Sequence, residues 1–247
     1  MGAMAPTNRH HPSLASLLAL STRQHGLVTR AQLLDAGPSA ESIKHRVRTG
    51  RIHIIHRSVY AIGHPRLTRE GRWLAAVLAC GEGAALSYLS AATLWGIWER
   101  AEPPRPQVSV PSDNGRRGPR GIELHRTALG QADVTVRDAV PVTTLRRTLL
   151  DLATVVSAER LKSALRQSER LHRLDLRALR ASLDAFPRCS AKPARLKRTL
   201  DAYVPGAANT EADVEMAFLE LCASHGLPMP ETQVPIGRYR AAFATAP

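Results

Sequence analysis

Residues 39–63, SAESIKHRVRTGRIHIIHRSVYAIG, decide how this chain is read. Ser39 can cap a helix of about ten residues, which Gly50 closes. On a wheel of roughly 100° per residue, Ala40, Ile43 and Val47 share one face. Glu41, Ser42, His45 and Arg48 lie opposite, flanked by Lys44 and Arg46. From Arg51 the pattern changes to strand, tight turn and strand, with His56-Arg57-Ser58 at the tip. Five Lys/Arg and three His stand between positions 44 and 57, next to a single acid at Glu41.

Upstream, SLASLLALSTRQHG (13–26) places Leu14, Leu17, Leu18 and Leu20 near one helix face and stops at a glycine. Thr29 followed three positions later by Gln32 spells a capping box for a helix over 30–36, ended by Gly37-Pro38. Three short helices followed by a β-hairpin are the order of a winged helix-turn-helix. The third helix has an apolar back and an outer face of long donors, which is what a helix in a major groove needs. Ser42, His45, Arg46 and Arg48 are the candidates to read base edges. Lys44, Arg51 and Arg57 are the candidates to hold phosphates, with His56 beside them at the wing tip.

Solvated helices carry the same charges, and winged helices also serve as protein-interaction modules. The capped order together with the basic wing is what favours double-stranded DNA. His45, His53 and His56 have no metal-ligand spacing, so structural or phosphate-contacting roles fit them better.

The bulk numbers agree with that direction. The chain of 247 residues is 44% apolar, enough for a core. Its 34 Lys/Arg against 21 Asp/Glu give a net charge of +13, which favours a polyanionic partner. Cys80, Cys189 and Cys222 form no disulfide or metal pattern, as expected in a reducing cytoplasm. The most apolar window, 74–95, is broken by Gly81-Glu82-Gly83 and reads as two helices rather than a membrane span. The opening, residues 1–12, reads as a mobile tail.

The middle region begins with a helix capped by Thr68 and a second through SYLSAATLWGIW, so Trp73, Trp95 and Trp98 are expected in the core. PRPQVSVPSDN (104–114) and GIELHRTAL (121–129) read as strands joined by a basic loop with Arg116, Arg117 and Arg120. VPVTTLRRTLLDLATV (140–155) reads as a turn entering a helix with Leu149, Leu150 and Leu152 inward. Helices follow near 157–171 and 176–186. Twelve basic residues and three acids lie between Arg160 and Leu200. Lys162, Arg166, Arg170, Arg173, Arg177 and Arg180 recur at helical intervals as a basic stripe. That stripe suits a second polyanion or an acidic protein partner.

The stretches LVTRAQLLDAG, SIKHRVRTGRIHIIHRSVYAIGH, LSYLSAATLWGIW and VPVTTLRRTLLDLA together resemble the actinobacterial AbiEi-type antitoxin and transcriptional-regulator family. The resemblance implies an N-terminal winged helix-turn-helix followed by an α/β region, and DNA binding commonly at the protein's own promoter. In some operons it also implies neutralisation of a nucleotidyltransferase toxin without a tight toxin–antitoxin complex.

TEADVEMAFLELCASHGLPMPETQV (210–234) resembles the opening helix of the very-short-patch-repair-like endonuclease domain, with Glu215 at its acidic position. That class holds Mg²⁺ on a strand Asp and a following acidic cluster. Here GRYR is followed by AAFATAP, and a strand at that point has nothing to pair with. The nuclease metal set is therefore incomplete, and neither a catalytic residue nor a cofactor is assigned.

The expected fold is helix-rich α/β (α+β). The expected segments are a tail at 1–12, a winged helix-turn-helix at 13–63, an antitoxin-like α/β region at 64–205, and the start of an endonuclease-like domain at 206–247. A DNA endonuclease completed by a second subunit and a protein-interaction module remain the rival readings.

Overall fold

The computed structural model describes residues 14–98, 101–112, 118–173, 175–184, 191–203, 218–219, 221–236 and 239–244. It is a helix-rich α+β fold whose contacts divide the chain into two units, residues 1–202 and 203–247.

The first unit begins with α1 (Leu14–Arg23), β1 (Leu27–Thr29), α2 (Arg30–Asp35) and α3 (Ala40–Arg48). The hairpin β2 (Ile52–His56) and β3 (Val59–Ile62) follows. The three strands form one sheet in the order β1-β3-β2, which makes this a winged helix-turn-helix. Local chemistry sets the helix starts. Thr29 accepts from the Gln32 amide while the Gln32 side chain accepts from the Thr29 amide, so the capping box closes at both ends. Ser39 accepts from the Ser42 amide at the head of α3. In α1, Leu17 is buried but Leu18 is half exposed, so the apolar face is narrower than its four leucines suggest.

The small sheet is covered on both sides. Val28, Tyr60 and Ile52 pack with Leu17, Leu33 and Ile43 of the three helices. Leu27, Val59 and Ala61 face the other way, into a larger core with Trp73, Leu74 and Val77. Those three belong to α4 (Arg69–Cys80), capped by Thr68 accepting from the Gly71 amide. Gly71 is buried, and a Cβ there would press on the Thr68 hydroxyl at 3.3 Å and on His25 and Leu67 at 3.4 Å. The packing is thus continuous across residues 63 and 64.

Beyond α4 lie β4 (Ala85–Leu86), α5 (Tyr88–Trp95), β5 (Gln107–Pro111), β6 (Glu123–Thr127), β7 (Val134–Arg137) and β8 (Val140–Thr143). A short 3-10 turn, Gln131–Asp133, precedes β7. The five strands form a mixed sheet in the order β6-β5-β4-β8-β7. Residues 140–143, expected as a turn, are a strand paired with β7. β5 and β6 pair in parallel, not as an antiparallel hairpin.

One face of this sheet, with Leu86, Val108, Val110, Val140 and Val142, is apolar and packs with α4. The other carries Gln107, Ser109 and Thr143, and Gln107 and Thr143 are hydrogen-bonded to residues of α5 and α6. Gln107 Oε1 accepts from the Leu89 amide, which caps α5 in place of Ser87. The Trp95 indole donates to the Thr143 carbonyl at 2.9 Å.

Four helices complete the unit: α6 (Leu145–Val155), α7 (Ala158–Arg170), α8 (Leu176–Asp184) and α9 (Ala191–Asp201). Leu149, Leu150 and Leu152 are buried, and α9 adds a helix in a stretch expected only as charged. At the head of α6, Arg147 is buried and bonded to Asp151, Asp133, Thr127 and the Ala128 carbonyl. This network ties the ends of β6 and the 3-10 turn to the helix.

In the second unit, residues 218–219 and 221–224 are helical, and β9 (Glu231–Ile236) pairs antiparallel with β10 (Tyr239–Ala244). The strand expected to lack a partner therefore has one: residues that read as an abrupt end are its neighbour. Glu211, Val214 and Glu215 lie outside the described residues.

Candidate nucleic-acid interface

The outer face of α3 follows from what the inner face must do. Ile43 is 1% exposed and Val47 packs beside it, so Lys44, His45 and Arg48 are turned outward. Ser42 and Arg46 are half-buried at the margins of that face. The exposed side chains are organised in pairs. Lys44 Nζ donates to Glu41 Oε1 at 2.7 Å, and Arg48 Nη2 donates to His45 Nδ1 at 3.1 Å. Thr49 closes the helix, its amide and hydroxyl both donating to the His45 carbonyl.

The chain then turns through Gly50, whose φ of +69° is left-handed, into Arg51, which is exposed. In the wing, Arg57 and Ser58 form the turn, and both are exposed. Ser58 has a φ of +66°. His56 is not at the tip. A bulge between Ile54 and His56 places His56 opposite Val59, and burial pushes its imidazole below the ordinary value. His53 donates from Nε2 to the Gly63 carbonyl at 3.2 Å, which gives it a structural role. Ile54 is left 60% exposed beside these polar groups. Among the described residues no group of three or more His, Cys, Asp or Glu is placed to hold a metal.

The structure thus brings α3 and the wing strand into contact within one folded body, with Lys44, His45, Arg48, Arg51 and Arg57 on its exterior. His56 and Arg46 contribute less surface than the sequence pattern suggests.

The second basic surface has a different character. Lys162 pairs with Glu159 at 2.9 Å, Arg166 is half-buried, and Arg170 and Arg177 are exposed. Arg173 Nη1 donates to the Trp95 carbonyl at the end of α5. Arg180 Nη2 reaches the Leu200 carbonyl near the end of α9 (3.1 Å), and Arg195 Nη2 the Val156 carbonyl that ends α6 (2.6 Å). These three arginines therefore satisfy carbonyls that helix ends leave open. Part of the charge surplus in 160–200 is helix-capping chemistry. Arg120 is exposed in the turn before β6, and Arg116 and Arg117 lie outside the described residues.

The sequence reading missed the buried Arg147 network and the pairing of His45 with Arg48. An i, i+4 Arg-Asp spacing (Arg147, Asp151) was visible, but such pairs are common on exposed helices.

No family model matches the chain, and no curated protein matches it. Among solved structures, the crystal structure of the RV2827C protein from Mycobacterium tuberculosis is similar, at 16% identity and a TM-score of 0.46. The match covers 83% of this chain and 87% of that one. No helix among the described residues is long and apolar enough to cross a membrane.

Proposed function

We propose that this chain is a sequence-specific, double-stranded DNA-binding regulator of the antitoxin type, acting in the cytoplasm at its own promoter. The observation that carries the reading is the winged helix-turn-helix whose third helix buries Ile43 and turns Lys44, His45 and Arg48 outward. Arg51 and Arg57 flank that helix in the sense expected for phosphate contacts. The antitoxin part rests on the sequence resemblance, which implies a nucleotidyltransferase toxin countered without a tight complex. Exposed Arg170 and Arg177 offer a further surface for a polyanion.

The test is selection of a preferred duplex from random DNA, followed by Arg48→Ala. A good Arg–guanine contact discriminates by ~1–3 kcal/mol. The variant is expected to keep general DNA affinity while losing preference at one base pair. A variant with unchanged preference would show that α3 does not lie in the groove.

A further inference from the structure

We propose that His45 and Arg48 read DNA as a single unit, with His45 positioning the Arg48 guanidinium on a guanine. The proposal rests on the regulator reading above. Its starting point is the 3.1 Å contact between Arg48 Nη2 and His45 Nδ1 on the exposed face of α3. An arginine stays protonated and has no lone pair to offer, so it is the donor and Nδ1 is the acceptor. With Nδ1 accepting, the ring proton sits on Nε2. The contact thus fixes two things at once: the direction of the guanidinium and the tautomer of the ring.

The result is a compact donor array. Arg48 keeps four of its five N–H groups for a partner, and His45 adds one outward N–H. In the major groove, guanine presents two neighbouring acceptors, O6 and N7, that match a guanidinium fork. The imidazole N–H is then left for an acceptor on the adjoining base or phosphate. Holding the long arginine side chain before contact reduces the rotamer freedom lost on binding.

Two further features support this division of labour. The His45 carbonyl accepts from both the amide and the hydroxyl of Thr49, so the ring stands on a fixed backbone. On the same face, Lys44 is already paired with Glu41 at 2.7 Å, which partly balances the N-terminal half of the helix. The C-terminal half, with His45 and Arg48, is where uncompensated donors face outward.

The experiment uses the full chain and its selected duplex, with the most strongly preferred guanine also replaced by 7-deazaguanine. Dissociation constants are measured for the wild type, His45→Ala, Arg48→Ala, the double variant, His45→Asn and His45→Gln. Circular dichroism melting confirms that each variant is folded. Arg48→Ala is expected to lose on the order of tenfold in affinity, mostly erased when N7 is absent. His45→Ala loses a comparable part, and the double variant loses clearly less than the sum of the two single losses.

His45→Asn places an acceptor oxygen near the Nδ1 position and retains most of the affinity, whereas His45→Gln does not. Additive losses, equal behaviour of the Asn and Gln variants, or a guanine preference untouched by His45→Ala would overturn the pairing alone. A wild type with no preferred sequence would overturn the regulator reading and this proposal with it.

Discussion

Replacing Arg147 with Met tests the packing account at its most demanding point. The guanidinium is buried and makes four described bonds: Nε to Asp151 Oδ2 (3.0 Å), Nη1 to the Ala128 carbonyl (2.8 Å) and to Asp133 Oδ2 (3.2 Å), and Nη2 to Thr127 Oγ1 (2.8 Å). Asp133 keeps Arg146 at 2.7 Å, so it is not left without a cation. Asp151 is fully buried and loses its guanidinium partner, so the cost concentrates there. Breaking a buried pair from one side costs ~3–5 kcal/mol. For a folded unit of this size that corresponds to a fall in Tm of roughly 6–20 °C.

Urea unfolding followed by tryptophan fluorescence is a suitable assay, because Trp73, Trp95 and Trp98 all lie in the first unit. Removing the buried Asp151 carboxylate as well, in the Arg147→Met/Asp151→Leu variant, is expected to recover at least ~1 kcal/mol of the loss. A single variant that loses less than ~1 kcal/mol, or a double variant worse than the single, would refute the reasoning.

Three further outcomes are expected. Thr29→Ala opens both halves of the α2 capping box and should cost ~1 kcal/mol in the same unfolding assay. Arg57→Ala, at the exposed wing turn, should weaken binding to all DNA sequences alike and lower the slope of log affinity against log salt by about one. His56 is held below its ordinary value by burial, so the unfolded chain takes up its proton first as pH falls. Stability should therefore be full above the ordinary imidazole range and decline as pH drops through it towards the lower folded value. His56→Gln should flatten that part of a Tm-against-pH profile.

Local signals and distant pairings were not equally legible in the sequence. The starts of α2, α3 and α4 were readable because a hydroxyl at Thr29, Ser39 or Thr68 acts on an amide three residues away. The exposed face of α3 was readable for the same reason: Ile43 and Val47 fix the inward side, and the helical period does the rest. Strands β7 and β8 were missed because VPVT contains a proline and borrows its partners from Val134–Arg137, a pairing no short window contains. β9 read as unpaired because β10, YRAAFA, alternates weakly, and only the pairing itself reveals it.

The candidate interface residues were partly legible. Lys44, Arg48, Arg51 and Arg57 stand outside, as their spacing implied. His56 is turned by a bulge that has no sequence marker of its own. The basic stripe misled most at Arg173 and Arg180, because a helix-end carbonyl as partner is invisible until the helices are packed.

The central claim is sequence-specific DNA binding, and a fluorescence-anisotropy titration tests it most directly. Labelled DNA from the region upstream of the protein's own reading frame is compared with a scrambled duplex at two salt concentrations. The account predicts tighter binding to the upstream fragment that persists at the higher salt, because base contacts survive when counterion release is weakened. Equal binding to both duplexes that collapses with salt would contradict it, and would reduce the α3 face to a basic surface without a code.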